Sequence, residues 1–310
     1  GYAAPHCPFV APPEDFAHAA ARIGLADLPA PDPNLHPWLR EMQKNSGLVP
    51  PPSPADQWRT RVAYYGLCRF LDRQVGAVLA ALADAGLVDD TIVVYTSDHG
   101  DMVGEHGLWW KSMFYEGACR VPFIIAGPGL VPHAEDVRGN VSLVDVGPTL
   151  LDLAGLPPLP VASGRSLRAL LAGDSTAMRP DRVYAELAEA GGPGRPVRPR
   201  RMVKSGHWKY CYYHGAGETL FNLADDPGER HNLAGPQAPA VLAELRAAAL
   251  AGWDPVAIER RLSLELPERH LLAQWVNRVH PAEPDPLWFT TPLENWVDTS
   301  PVPPAGGPAA

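Results

Sequence analysis

Residues 91–122 have the sequence TIVVYTSDHGDMVGEHGLWWKSMFYEGACRVP, and this stretch decides the predicted fold. Its β-branched beginning, residues 91–96, predicts a short buried strand. Asp98 and His99 follow at the carboxyl end of that strand, where open α/β sheets bind their ligands. A carboxylate beside an imidazole can hold a divalent metal, and Lys111 offers a cation to an anionic substrate. The stretch therefore predicts metal-assisted attack on a phosphate or sulfate ester.

Regular elements are predicted on both sides of this stretch. Upstream, Asp56 is the predicted N-cap of a long helix that ends near Gly86. Downstream, residues 121–126 predict a second buried strand, residues 141–155 a short strand or turn and then a helix that ends at Gly155, and residues 164–171 another short helix. The side chains predicted to form the buried stripe of the long helix are Leu67, Leu71, Val75, Val78 and Leu82. Helices and strands thus alternate, as in an α/β domain.

Short strands predominate after residue 175. Four segments separated by Gly-rich or polar turns predict a small antiparallel sheet, and a helix at about 237–251 follows them. These segments are Val183–Leu187, Arg201–Lys204, Trp208–Tyr213 and Thr219–Asn222. The chain is accordingly divided into an α/β part (1–175), a small sheet subdomain (176–252) and a helical, Pro-rich tail (253–310).

Proline marks both ends of the chain. Residues 1–55 lack strong periodicity and are predicted to be an extended surface excursion that ends in a proline cluster. Pro267 is predicted to separate two helices. The tail from residue 281 carries Trp288, Phe289 and Trp296, which makes it a candidate surface for forming a homo-oligomer.

Composition narrows the class of protein. The net charge of −9 argues against a nucleic-acid partner. No apolar run approaches the length of a membrane helix, so no membrane span is expected. Four widely separated cysteines form neither a disulfide framework nor a zinc site by their spacing, and we interpret them as reduced thiols in a cytoplasmic protein. They are Cys7, Cys68, Cys119 and Cys211.

Several motifs in order resemble the sulfatase family of alkaline-phosphatase-like metallohydrolases. They are PHCPFVAPPEDF from residue 5, TIVVYTSDHGDMVGEHGLW from 91, KSMFYEGACRVPFII from 111, VSLVDVGPTLLDLAG from 141 and LFNLADDPGERHNLA from 220. The stretch GEHGLWWKSMFYEGACRVP from residue 104, together with the extended helical tail, is most similar to choline-sulfatase-type enzymes. The resemblance implies an α/β fold, with a mixed sheet flanked by helices and a smaller C-terminal antiparallel sheet with its helix. It also implies hydrolysis of a small-molecule sulfate ester.

The resemblance assigns roles to four residues. Asp98 and His99 match metal ligands of the family, and Lys111 matches the lysine that contacts the sulfate and the leaving-group oxygen. His6 matches the histidine that contacts the sulfate or protonates the departing alcohol. The implied cofactors are a divalent metal, calcium first with magnesium or manganese as alternatives, and a formylglycine nucleophile.

Other polar groups of the same stretch are given ordering roles. Asp101 and Glu105 are interpreted as loop caps, and His106 either supports the site residues from behind or orders the loop. Lys111 also has a simpler interpretation, as a solvated lysine that packs on the indole of Trp110.

The chain departs from the family at the nucleophile. No cysteine stands in a C-x-P-x-R-like motif. We therefore expect the nucleophile and the remaining metal carboxylates to lie in an upstream segment, and this chain alone to be inactive. Two alternatives stay open: a phosphonate monoester or phosphodiester hydrolase of the same superfamily, and a non-catalytic remnant that acts in binding or assembly.

Overall fold

The computed structural model describes residues 1–128, 130, 139–174, 176, 181–188, 197–236 and 239–279. In these ranges helices combine with small antiparallel sheets, which confirms the predicted α/β class. No helix within the described ranges is both long enough and apolar enough to cross a bilayer. The tail from residue 281, with Trp288, Phe289 and Trp296, lies outside the described residues, and so self-association through it stays a prediction.

The N-terminal region is helical where an extended excursion was predicted. It contains α1 (Pro13–Ala20), a 3-10 helix (Leu25–Asp27) and α2 (Pro37–Asn45). The prediction for residues 1–55 was wrong because Pro13 and Pro37 occupy the first turns of these helices. Proline is well suited to that position, since its φ is already helical and its missing N–H would have no partner there.

The long predicted helix is α3 (Pro54–Asp84). Its N-cap is Ser53 and not Asp56, because the Ser53 hydroxyl accepts the Asp56 N–H at 3.1 Å. Leu67 and Leu71 are buried as predicted, but Val78 is 56% exposed, and so the predicted buried stripe was wrong in the second half of the helix.

α1 packs across α3 through a buried carboxylate. Asp15 is fully buried and receives hydrogen bonds from Arg69 and Arg73 of α3, with 2.7 Å between Asp15 Oδ2 and Arg73 Nη2. A Cβ on Gly66 would lie 2.8 Å from the Cβ of Ala11. A glycine at this position therefore lets the two segments approach closely.

The stretch that decided the prediction forms two small antiparallel pairs and a short helix. β1 (Val93–Thr96) pairs with β4 (Phe123–Ala126), and β2 (Met102–Val103) pairs with β3 (Trp109–Trp110). α4 (Glu116–Cys119) precedes β4. The two predicted strands are confirmed with shorter bounds, but full burial was wrong, because β1 and β4 are half-buried and Ile124 is 59% exposed.

Two short helices follow, α5 (Val146–Leu153) and α6 (Arg168–Leu171), within the predicted ranges. The predicted small sheet is also confirmed. It is a meander in which β5 (Arg182–Leu187), β6 (Arg200–Ser205), β7 (Trp208–Tyr213) and β8 (Gly217–Asn222) pair in sequence order. α7 (Val241–Leu250) provides the helix predicted to follow it.

The sheet is covered on both faces. On one face Val203, Tyr210 and Leu220 pack against Leu242 and Leu245 of α7. The other face is formed by Met202, Cys211 and Tyr213, which pack against Phe114. The residues that follow Lys111 therefore lie directly on the C-terminal sheet.

α8 (Pro255–Val279) runs through Pro267 without a break. The predicted pair of helices was wrong at this point. Proline removes one N–H donor and disfavours an interior turn, but Leu264, Glu265, Leu266 and Glu268 around it are strong helix formers.

Candidate active site

The four predicted site residues lie together in the structure. Lys111 Nζ is 2.8 Å from His6 Nε2, although 105 positions separate them in the sequence. The ring centroids of His6 and His99 are 6.5 Å apart. His99 Nε2 in turn lies 3.5 Å from Asp98 Oδ2. One cluster thus contains a carboxylate, two imidazoles and an ammonium group.

Asp98 and His99 are held in a tight turn at the end of β1. The Ser97 hydroxyl donates to the His99 carbonyl at 2.8 Å, and the His99 N–H donates to Asp98 Oδ1 at 3.0 Å. The N–H of Gly100 donates to Ala118 O at 2.8 Å, which ties the turn to α4. A Cβ on Gly100 would lie 2.2 Å from the carbonyl oxygen of Gly117, so only glycine fits there.

The hydrogen bonds of His99 suit a metal ligand. Its Nδ1 lies 3.0 Å from the carbonyl oxygen of Gly100, and because a carbonyl only accepts, Nδ1 carries the proton. Nε2 then presents a lone pair toward Asp98, whose side chain is 84% exposed. Two lone-pair donors facing each other fit a shared cation, and a backbone carbonyl on the other ring nitrogen is a usual partner of metal-binding histidines.

Asp98 and His99 form only part of a ligand set. Within the described ranges, no group of three or more His, Cys, Asp or Glu side chains is arranged to hold a metal ion. Calcium is a hard divalent cation and takes about six or more oxygen ligands. Further ligands would therefore have to come from elsewhere.

The hydrogen bonds of His6 make its ring an acceptor for Lys111. His6 Nδ1 lies 2.6 Å from the carbonyl oxygen of Cys7 and therefore carries a proton. His6 Nε2 is then free to accept from the Lys111 ammonium. The lysine is thus directed by a neutral ring, and its positive charge is available to an anion.

The backbone around Lys111 is unusual. Trp110 and Ser112 have φ values of 65° and 72°, so both neighbours of the lysine adopt the left-handed region. For residues other than glycine this conformation is unfavourable by about 1–3 kcal/mol and persists only where the surroundings enforce it. The conformation that directs Lys111 toward His6 must therefore be stabilised by other contacts.

Those contacts come from the C-terminal sheet, and sequence reasoning missed them. Arg200 of β6 donates through Nη2 to the Ser112 carbonyl at 3.1 Å. Lys209 of β7 donates to the Phe114 carbonyl at 2.8 Å. Both side chains are buried. For Lys209 the available signal was a cationic residue in a strand, WKYCYY, whose other members are aromatic or apolar, whereas β6 gave no such signal for Arg200.

Lys209 is balanced by two carboxylates. Its Nζ lies 2.6 Å from Glu116 Oε1 and 2.8 Å from Glu229 Oε1. Burial alone would lower the pKa of Lys209, but Glu229 and Glu116 together raise it above its usual range. Burial raises the pKa of Glu229, whereas Lys209 holds the pKa of the less buried Glu116 below its usual value. Lys209 therefore stays charged at neutral pH.

The remaining polar residues of the motif differ in position. Burial raises the pKa of Asp101, and the nearby His99, Lys111 and His6 partly offset this, so Asp101 belongs to the electrostatic surroundings of the cluster. Glu105 orders its loop, as predicted, by accepting the Val103 N–H at 2.7 Å.

His106 is part of a buried loop contact. It lies 3.2 Å from Asp32 and stacks on Tyr115 at 4.0 Å between ring centroids. These contacts agree with its predicted ordering role.

Two family models match the chain. The model described as Sulfatase matches residues 6–156, and the model described as N-sulphoglucosamine sulphohydrolase, C-terminal, matches residues 104–251. The first range contains all four residues of the cluster. The second contains Lys111 together with the sheet and α7.

Individual proteins agree with these matches. Choline-sulfatase of Rhizobium meliloti (strain 1021) is 35% identical over 268 residues, which are 82% of this chain and 50% of that protein. Arylsulfatase K of Gallus gallus is 38% identical over 182 residues, 57% of this chain and 34% of that protein. A phosphonate monoester hydrolase from Silicibacter pomeroyi has a similar structure, with a TM-score of 0.68 and 27% identity over 80% of this chain and 53% of that one.

The chain spans half of the choline-sulfatase and about as much of the phosphonate hydrolase. The two family models together cover residues 6–251, and the structural likeness agrees with the α/β fold. The chain belongs to the sulfatase family.

Proposed function

We propose that this chain is the part of a sulfuric ester hydrolase that binds the ester and assists the departure of its alcohol. The observation that carries the proposal is the 2.8 Å contact between Lys111 and His6 beside the Asp98–His99 turn. Lys111 contributes a positive charge to the sulfate and to the oxygen on which charge develops. Either Lys111 or His6 can donate the proton that the departing oxygen needs in order to leave as an alcohol.

We propose that Asp98 and His99 hold a divalent metal, with calcium first and magnesium or manganese as alternatives. The opposed lone pairs of the two side chains support this assignment. A metal bound there would supply Lewis acidity and orient the ester oxygens. The nucleophile is proposed to be a formylglycine in a segment outside this chain, because none of the cysteines here has the motif from which formylglycine is made.

The substrate is proposed to be a small sulfate ester, and choline sulfate is the first compound to test because of the likeness to choline-sulfatase. Hydrolysis of phosphonate monoesters or phosphodiesters is a second candidate, favoured by the structural likeness to the phosphonate monoester hydrolase. A non-catalytic role, a cytoplasmic location and self-association stay predictions.

The experiment compares ester classes on the full-length protein. Turnover of choline sulfate, an aryl sulfate, a phosphonate monoester and a phosphodiester should be measured after metal removal and after return of calcium, magnesium or manganese. We expect the highest kcat/KM for a sulfate ester and the best recovery with calcium. Higher kcat/KM for the phosphonate would favour the second candidate, and no turnover of any ester would contradict the hydrolase assignment.

A matched variant tests the metal site. Asp98→Asn keeps the shape of the side chain but removes its charge, so calcium affinity measured by calorimetry should fall. Asp84→Asn, at the end of α3, is the control and should leave the affinity unchanged. Equal affinity in Asp98→Asn and the unaltered protein would contradict the ligand assignment.

A further inference from the structure

Side chains of the C-terminal sheet hold two of the three residues that follow Lys111, namely Ser112 and Phe114, whereas the Met113 carbonyl accepts from the Cys119 thiol at 3.4 Å. Arg200 Nη2 reaches Ser112 O at 3.1 Å, and Lys209 Nζ reaches Phe114 O at 2.8 Å. The two donors come from neighbouring strands, β6 and β7, that pair in register. These donors bind the carbonyl oxygens of Ser112 and Phe114, the first and third residues after Lys111. They therefore fix the direction of the backbone that follows Lys111.

Arg200 is itself held rigidly. It is 2% exposed, and its guanidinium lies over the ring of Trp38 with 4.0 Å to the ring centroid. A planar cation stacked on an indole has little freedom to follow a moving partner. The Ser112 carbonyl therefore meets a fixed donor, and this donor favours the left-handed backbone that Ser112 adopts at φ 72°.

We propose that Arg200, supported by Lys209, is a positioning residue that holds the Lys111 segment so that the ammonium meets His6. If the hold on Ser112 O were lost, Ser112 would relax toward negative φ, where residues with a Cβ are stable. That rotation would turn the backbone at Lys111 and move Nζ away from His6. The kinetic consequence rests on the proposed function, whereas the geometric consequence does not.

The kinetic test is a double-mutant cycle on the full-length protein. Arg200→Met keeps most of the buried volume but removes the donor, and kcat for a sulfate ester should fall by roughly 10²-fold, as small misplacements of catalytic groups do, with a smaller change in KM. Because Arg200 acts through Lys111, adding Arg200→Met to Lys111→Ala should change kcat less than twofold further. Multiplicative losses in the double variant would overturn the proposal.

Two further variants separate positioning from general loss of stability. Ser112→Gly adopts positive φ without strain, and so it should restore at least part of the turnover lost in Arg200→Met. Arg201→Met is the matched control on the same strand, since Arg201 instead contacts Ala249 O and the ring of Tyr184. It should keep kcat within about twofold even if Tm falls. Absence of rescue by Ser112→Gly would count against the proposal, as would an equal loss in Arg201→Met.

A crystal structure of Arg200→Met provides a readout that needs no activity. The expected result is a Lys111 Nζ to His6 Nε2 separation beyond hydrogen-bond distance, and a return toward the present 2.8 Å when Ser112→Gly is added. An unchanged separation in Arg200→Met overturns the positioning role. If no ester is hydrolysed by the unaltered protein, the proposed function fails, but this separation still decides the positioning role.

Discussion

Lys111 makes its hydrogen bond to an imidazole and not to a carboxylate. A carboxylate partner would offset the charge of the ammonium, whereas the neutral ring of His6 directs it without neutralising it. The Nδ1 proton of His6 is fixed by the Cys7 carbonyl at 2.6 Å, and this orients Nε2 toward the lysine. The pair is therefore suited to an anion that gains charge as a bond breaks.

Replacing Lys111 by alanine tests this arrangement. Turnover of a sulfate ester should fall by about 10²–10³-fold, because a donor to developing charge acts mainly in the transition state. The loss should be larger for an ester with a poor leaving group than for an aryl sulfate with a good one. Lys111→Arg should recover little, since a planar fork does not replace a compact ammonium.

The measurement is kcat/KM for both esters in each variant, with Tm as the control for folding. A small, equal loss on both esters would assign Lys111 to packing against Trp110, the simpler interpretation of this residue.

Among the elements, the contact between the β1 turn and α4 leaves no space for an added side chain. Gly100 meets backbone there, since its added Cβ would lie 2.2 Å from Gly117 O. Gly100→Ala should therefore lower the free energy of unfolding by about 1–3 kcal/mol, the usual effect of overpacking. It should also weaken the proposed metal binding, because Asp98 and His99 share the turn.

Gly76→Ala is the matched control for this prediction. Gly76 lies inside α3, and nothing lies within 4 Å of an added Cβ. This substitution should stabilise the helix by up to about 1 kcal/mol. Urea unfolding of the two variants checks both signs, and a neutral Gly100→Ala would show that the turn can separate from α4.

The start of α2 gives the protein a dependence on pH. Burial lowers the pKa of His36 from its ordinary 6.5, and its Nδ1 accepts the Trp38 N–H at 3.3 Å, which requires an unprotonated nitrogen. Near pH 6 the unfolded chain therefore binds more protons at this position than the folded chain. The stabilisation is fully present above pH 6.5 and is lost as the pH falls through the lower folded pKa.

His36→Asn should flatten that dependence. Asparagine is a good N-cap and does not titrate, so the cap, worth about 1 kcal/mol, remains. Tm measured between pH 5 and pH 7.5 should fall less steeply for the variant than for the unaltered chain. Equal slopes would assign the loss at low pH to other groups, such as His106, whose pKa burial also lowers.

Periodicity predicted the elements that carry a regular pattern. The long helix, β1, β4 and the strands of the meander were predicted within a few residues, because apolar and β-branched residues recur at the required spacing. The errors at α1, α2 and α8 have one cause. Proline was taken as a breaker, whereas Pro13 and Pro37 begin helices and Pro267 is tolerated inside one.

At the scale of the whole molecule, one buried network joins the motif segment to the C-terminal sheet. Lys209 is fully buried and bridges Glu116 of α4 with Glu229 of the turn after β8. Lys209→Met should lower the free energy of unfolding by about 3–5 kcal/mol, because it leaves two carboxylates without their shared cation in a buried site.

Lys204→Met is the control for this prediction. Lys204 reaches Glu116 at 3.3 Å from a partly exposed position, and its loss should change the free energy of unfolding by less than about 1 kcal/mol. Denaturant unfolding of both variants gives the comparison. Similar small losses in the free energy of unfolding would show that the Lys209 network contributes little to the packing of the C-terminal sheet against the segment that follows Lys111.

Only part of the candidate site could be predicted from the sequence. Asp98 and His99 could be placed from the residues alone, because they follow a strand at the end where ligands bind. His6 was assigned from family resemblance, and the roles of Arg200 and Lys209 depend on long-range packing that no local pattern contains. The alternation of side chains along β7 indicates only that Lys209 lies on the same face as Cys211 and Tyr213, which are buried.

The meander also has a consequence for the order in which the protein folds. Each of its strands pairs with its neighbour in sequence, and such local pairings close rapidly. The contact between Lys209 and Phe114 spans 95 positions and must wait for a much longer loop to close. In pulsed hydrogen-exchange labelling during refolding, amides of β6 and β7 should be protected before those of residues 112–114. A newly made chain would therefore form its sheet before it forms the contact between Lys111 and His6, and so the proposed anion site would be completed late in folding.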